Sequence, residues 1–129
     1  RSLYEDPEVF ARYLHSLGHL DDRELALYGE HFARLSGGLP RPDLVLCLTV
    51  RQPSVLLQRI RSRNRPGEEG LGLPFLEGLE EHYQGLPGRL RRRFGLRVAE
   101  VDVTDLDLRK PPGQQAFLTS VQTLLEETP

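Results

Sequence analysis

Methionine is absent from the 129 residues, and the chain opens on Arg1. A translated polypeptide begins with methionine, so these residues are expected to be the later part of a longer chain. Cysteine occurs once, as Cys47 inside an apolar stretch. That excludes an intrachain disulfide and makes a reducing cytoplasm the expected location. No apolar run reaches the ~18 residues that cross a bilayer, and nothing resembles a signal peptide, so no membrane partner is expected. Positive charge is not in excess either: 17 Lys and Arg against 19 Asp and Glu give a formal net charge of -2. A surface built for nucleic acid carries a clear positive excess, so nucleic acid is not expected as a partner. Internal repeats and low-complexity linkers are also missing, and the length suits a single domain over residues 1–129.

What the chain does hold is a concentrated cluster of arginine. Residues 59–69 read Arg-Ile-Arg-Ser-Arg-Asn-Arg-Pro-Gly-Glu-Glu. Arg59 and Arg63 are four apart and share a helical face, and Arg65 follows where Asn64, Pro66 and Gly67 stop the helix. Guanidiniums converging on one point call for a strongly anionic ligand, and a phosphate chain suits their planar forks. Because the charges balance over the whole chain, a small anion fits better than a polyanion. A solvated, salt-bridged helix end is the competing reading of the same residues.

Around this stretch the punctuation is clear. Asp6-Pro7-Glu8 reads as an N-cap, a proline at the first helical position and a first-turn acid. Val9, Phe10, Tyr13, Leu14 and Leu17 then form one stripe, closed by Gly18. A second helix opens at Asp21 or Asp22, carries Leu25, Tyr28, Phe32 and Leu35, and stops at Ser36-Gly37-Gly38. Residues 43–50 are almost continuously apolar and predict a strand buried on both faces, as in a parallel sheet. Pro53 restarts a helix that runs into the arginines, and Pro74 starts another through Tyr83. Residues 89–93 are expected to be a short basic turn, and residues 97–103 a second strand. A last helix follows Pro111 and Pro112, with Phe117, Leu118, Val121, Leu124 and Leu125 inside.

Strand, helix, helix, strand, helix predicts an α/β layer fold. Two strands are too few for a stable parallel sheet, so at least two more are expected outside this chain, on the order of sixty residues.

Four segments then resemble the deoxynucleoside kinases. These are the opening Arg1-Ser2-Leu3-Tyr4-Glu5-Asp6 with Phe10, the stretch at residues 59–69, residues 73–79, and Asp102-Val103-Thr104-Asp105. The Tyr-Glu-Asp form is most similar to the bacterial deoxyguanosine and deoxyadenosine kinases. The resemblance implies the C-terminal portion of a P-loop kinase three-layer fold with a parallel sheet, incomplete in this chain, and a helical lid at about residues 59–72. It implies transfer of the γ-phosphoryl group of ATP, with Mg2+, to the 5′-hydroxyl of a purine deoxynucleoside in nucleotide salvage, by a homodimer. On this likeness Arg1 holds the 5′ end of the nucleoside and orients the catalytic carboxylate. Asp6 meets the base edge, Phe10 stacks on its face, and Glu69 accepts from the sugar 3′-hydroxyl. Arg59, Arg63 and Arg65 surround the transferring phosphoryl group, and Asp105, Leu106 and Asp107 frame the adenine of the donor.

The sequence departs from that family pattern. The acid preceding Arg1, the glycine-rich phosphate loop with its lysine, and the upstream general base are not among these residues. The chain alone is therefore expected to be inactive. Pro66-Gly67 also shifts the lid register, leaving Glu68 and Glu69 as alternatives. Two further readings stay open: a non-catalytic fragment that binds nucleotide or a partner chain, and a nucleoside monophosphate kinase of the thymidylate kinase type. From the residues alone Asp6 is also readable as a helix cap and Phe10 as a core side chain. His15 and His19 are four apart, but Gly18 breaks the helix between them, so no metal site is assigned. His31 and His82 read as surface residues, and Arg89, Arg91, Arg92 and Arg93 as a solvated face or dimer contact.

Overall fold

The computed structural model describes residues 2–126. At its centre two strands pair in parallel, β1 (Val45–Thr49) with β2 (Val98–Asp102), in the register Val45 to Val98 through Thr49 to Asp102. Alternate side chains of a strand point to opposite faces, and here each face finds its own core. Val45, Cys47 and Val98 pack with Val9, Leu86, Leu90 and Leu96. Leu46 and Val101 pack on the other side with Val50, Val103, Phe117 and Leu124. Helices α1 (Ala11–Ser16), α4 (Leu73–Gln84) and α5 (Leu86–Phe94) belong to the first side, and α3 (Pro53–Arg63) and α6 (Pro111–Glu126) to the second. Three layers result, as expected. β1 is less covered than its composition predicts, however, and Leu48 is 49% exposed. Among the described residues the sheet holds these two strands alone, so β1 is paired along one edge.

The local signals work where the backbone obeys them. Helix α2 (Asp22–Ser36) opens on a full capping box: Asp21 Oδ1 accepts from Glu24 N at 2.7 Å, and Glu24 Oε2 accepts from Asp21 N at 2.8 Å. Gly18 closes α1 with a φ of +74°, a conformation glycine adopts without strain.

Four expectations are corrected. Glu5, not Asp6, stands at the cap position, and its backbone is already helical (φ -67°, ψ -32°), so Asp6 lies inside the turn. Residues Asp6–Phe10 form a π-helical turn, whose wider i to i+5 bond from Ala11 N to Asp6 O admits one extra residue. One extra residue rotates everything after it by about 100°. Val9 and Tyr13 go inside as expected and Ala11 joins them, while Leu14 and Leu17 turn out. Residues 89–93 belong to α5 rather than to a turn, because Pro87 falls in the first helical turn, where its missing N–H costs nothing. Finally, α2 buries Phe32 but leaves Tyr28 42% and Leu35 69% exposed, and α6 turns Leu118 and Leu125 outward.

Candidate active site

The arginine-rich stretch begins on α3, whose last turns carry Arg59 and Arg63 on one face. They do not converge. Arg59 Nη2 donates to three backbone carbonyls beyond β2: Val103 O at 2.8 Å, Thr104 O at 2.7 Å and Leu106 O at 3.3 Å. Arg63 Nη2 instead meets both oxygens of Glu68 at 2.8 Å. The helix ends at Arg63, with Asn64 in the left-handed region (φ 48°, ψ 52°), so the expected helical lid of residues 59–72 is helical only at its start. Gly67 also has positive φ, +87°, and its N–H donates to Glu69 Oε2 at 2.8 Å. Arg65 is exposed. The expected phosphate end is thus an open loop, with Glu68 on Arg63 and Glu69 turned to the backbone.

The loop after β2 is clamped from both ends of α3. Arg51, just before it, donates its backbone N–H to Thr104 Oγ1 at 2.9 Å, lies 3.3 Å from Asp102 Oδ2 and pairs with Asp105. Thr104 N in turn donates to Asp102 Oδ1 at 2.8 Å, and bonds from Thr104 hold the Asp102 carboxyl below its ordinary value. Asp107 bonds Arg109 Nε at 2.9 Å, and that contact brings its carboxyl down to about 2. Asp105, Leu106 and Asp107 therefore sit in a loop with a fixed backbone, shaped by Arg59.

At the other end, Asp6 and Phe10 begin and finish the π-helical turn and both are half-buried. Phe10 meets Tyr83 edge to face at 6.2 Å, and the Tyr83 hydroxyl donates to Glu5 Oε1 at 3.1 Å. A cleft of about 690 Å3 runs along β1, lined by Ser2, Glu5, Cys47, Glu80, Tyr83 and Glu100 among others. Burial pushes the Glu80 carboxyl above its ordinary value, and burial followed by Glu100 raises the Cys47 thiol. Arg1 lies outside the described residues. His15 is engaged by Asp22, its Nε2 2.8 Å from Oδ1. His82, expected at the surface, is half-buried, with Nδ1 2.9 Å from Gly78 O. The helical pitch of α4 faces it toward Tyr13.

Sequence reasoning missed Glu8. It is 2% exposed, where an acid in a first helical turn is expected to face water. Two of the four arginines read as a solvated face pair with it, Arg89 from a half-buried position and Arg93 from an exposed one. The available signal was spacing: Glu8 and Arg12 are four apart, as are Arg89 and Arg93.

A parallel strand pair between helical layers, with an arginine-bearing loop following the first crossover helix, is part of the α/β fold of P-loop kinases. The deoxynucleoside kinase family pattern matches residues 1–126, and the chain belongs to that family. Deoxyadenosine kinase of Dictyostelium discoideum is 42% identical over 83 residues, covering 64% of this chain and 33% of that protein. Deoxycytidine kinase 2 of Gallus gallus is 34% identical over 113 residues, covering 85% of this chain and 43% of that protein. A solved deoxyadenosine kinase from M. mycoides, with bound dCTP, shares the fold at a TM-score of 0.71 and 19% identity, over 95% of this chain and 62% of that one. The chain thus spans one third to about half the length of the curated relatives it matches.

Proposed function

We propose that this chain supplies the nucleoside-recognition turn, the lid and the donor-base loop of an enzyme that moves the γ-phosphoryl group of ATP to the 5′-hydroxyl of a purine deoxynucleoside. The observation that carries this reading is family membership over residues 1–126, joined to the way α3 links two of the three parts. Arg59 reaches the loop at residues 103–106, and one turn later Arg63 reaches the lid. Phosphoryl transfer is mostly positioning and charge stabilisation, and these residues are suited to both. Asp6 accepts from the base edge and Phe10 covers its face. Arg1 orients the 5′ end. Arg63 exchanges Glu68 for phosphate oxygens, which the exposed Arg65 also meets, Glu69 accepts from the 3′-hydroxyl, and the backbone at Asp105 to Asp107 frames adenine. Arg59 shapes that frame.

The 42% identity to a deoxyadenosine kinase supports the purine preference. Among the described residues no three His, Cys, Asp or Glu side chains group to hold a metal. Mg2+ is taken to come with the nucleotide, and no residue of this chain is assigned to it. The exposed Leu27, Tyr28 and Leu35 of α2 support a homodimer, and a cytoplasmic salvage role goes with the reading.

Phosphorylation of deoxyguanosine, deoxyadenosine, deoxycytidine and thymidine by the full-length gene product tests it. Purine deoxynucleosides are expected to lead, and thymidine as best substrate would sink the purine preference. Activity on monophosphates alone would replace the reading with a thymidylate kinase type. Nucleotide binding without transfer would replace it with a non-catalytic binding role. Sedimentation at twice the chain mass is expected for the dimer.

A further inference from the structure

Glu8 lies in the middle of the turn Asp6–Phe10, two residues from each end and so about half a helical turn from both. Its carboxylate therefore leaves the turn on the side opposite the one Asp6 and Phe10 share, and it is met there by α5. Oε1 pairs with Arg93 Nη1. Oε2 lies 3.2 Å from Arg89 Nε and 3.4 Å from Arg12 Nε, close enough for ion pairing but misaligned for hydrogen bonds. Arg89 also donates through Nη2 to the backbone oxygen of Glu8 at 2.8 Å and to that of His82 at 2.6 Å. One guanidinium thereby ties the turn, the end of α4 and the start of α5 together. Burial pushes Arg89 below its ordinary value, with Glu8 acting against that shift. Gly85 keeps the path open, since a Cβ there would collide with the Arg89 guanidinium.

A buried carboxylate among three guanidiniums is a poor way to add stability, because desolvation offsets much of the attraction, but a good way to single out one orientation. Rolling the turn would uncover the charge or strand its partners.

We propose that Glu8 is a positioning residue for nucleoside recognition: gripped by Arg89 and Arg93, it sets the rotation at which the turn presents Asp6 and Phe10. The proposal rests on the kinase reading above. Contacts to the base are remote from the reacting hydroxyl, so their misalignment weakens nucleoside binding more than it slows transfer.

The test is steady-state kinetics and thermal melting of the full-length enzyme with Glu8→Gln, Arg93→Gln, the double variant and Arg93→Lys. Arg93 is 53% exposed at its side chain, so its variants are expected to fold. Glu8→Gln should raise the deoxynucleoside KM about tenfold while kcat and the ATP KM stay within about twofold. Arg93→Gln should move the same KM in the same direction, the double variant should be no worse than Glu8→Gln, and Arg93→Lys should retain most of the wild-type KM. A lowered melting temperature with an unchanged nucleoside KM in every variant would make Glu8 purely structural and overturn the proposal. So would equal losses in both KM values and kcat. A wild-type enzyme that phosphorylates no deoxynucleoside would overturn the kinase reading itself, and the role of Glu8 with it.

Discussion

At the candidate nucleoside end the key carboxylate, Glu8, is 2% exposed and enclosed by three arginines, whereas at the candidate phosphate end Arg63 is 45% exposed and holds one neighbouring acid, Glu68. Both ends are rich in arginine, yet the same side chain acts differently in each. A buried pair resists rearrangement because separation leaves a desolvated charge. An exposed pair exchanges partners at little cost, since water and salt already screen it. Rigid placement suits a base that must be recognised in one orientation, and exchangeable arginines suit a phosphate that arrives and leaves.

The sharpest way to break this contrast is Glu8→Ala. Removing one partner of a buried ionic cluster should lower the unfolding free energy by about 3–5 kcal/mol, read by urea denaturation. A loss below about 1 kcal/mol would place Glu8 in the same energetic class as surface pairs. Next is Arg63→Ala in the full-length enzyme, where kcat should fall more than about tenfold through loss of a transition-state charge contact. Its stability should shift by less than about 1 kcal/mol, because the Arg63–Glu68 pair is exposed. An unchanged kcat would leave the lid arginine as surface decoration.

Gly78→Ala probes the rigid end from its neighbour. A Cβ there would fall 2.8 Å from the Tyr13 hydroxyl oxygen and 2.9 Å from its ring, and Tyr13 is only 6% exposed. Overpacking of that kind should cost about 1–3 kcal/mol in chemical denaturation.

The smallest effect is expected at Asp107. Its folded carboxyl titrates at about 2, lowered first by its bond to Arg109. The depressed value means the ionised form favours the fold above the unfolded carboxylate range. That contribution fades as pH falls through that range and is gone below about 2. A carboxyl NMR titration should place the midpoint near there, and Arg109→Ala should move it toward the ordinary value near ~3.9.

Much of the fold was legible from residue pattern. The apolar run at residues 43–50 became β1, the run at 97–103 became β2, and Asp21 with Glu24 closed the capping box. These rest on backbone chemistry within a few residues of each other. The arginine-rich stretch was also legible as a distinct feature. The direction of its side chains was not, because Arg59 is claimed by carbonyls more than forty residues away. The π-helical turn was invisible as well, since one extra residue in a turn leaves no compositional mark but rotates the whole downstream face. Nor did the predicted stripe foresee that Leu14 and Leu17 face outward while Tyr13 beside them faces inward.

By itself, then, the sequence determined the order of most elements, though not α5 or the π-helical turn, the parallel pairing and the identity of the charged groups, because periodicity, caps and strand apolarity are local quantities. Tertiary structure alone decided which arginines meet a buried carboxylate and which meet a partly exposed one. Arg89 and Arg93 look in sequence like Arg63 and Arg65, one basic run beside another. Only the docking of α5 against the turn at residues 6–10 sets the first pair on a carboxylate that is 2% exposed, while Arg63 meets the partly exposed Glu68, and the effective dielectric around a charge depends on what packs there, not on its neighbours in the chain.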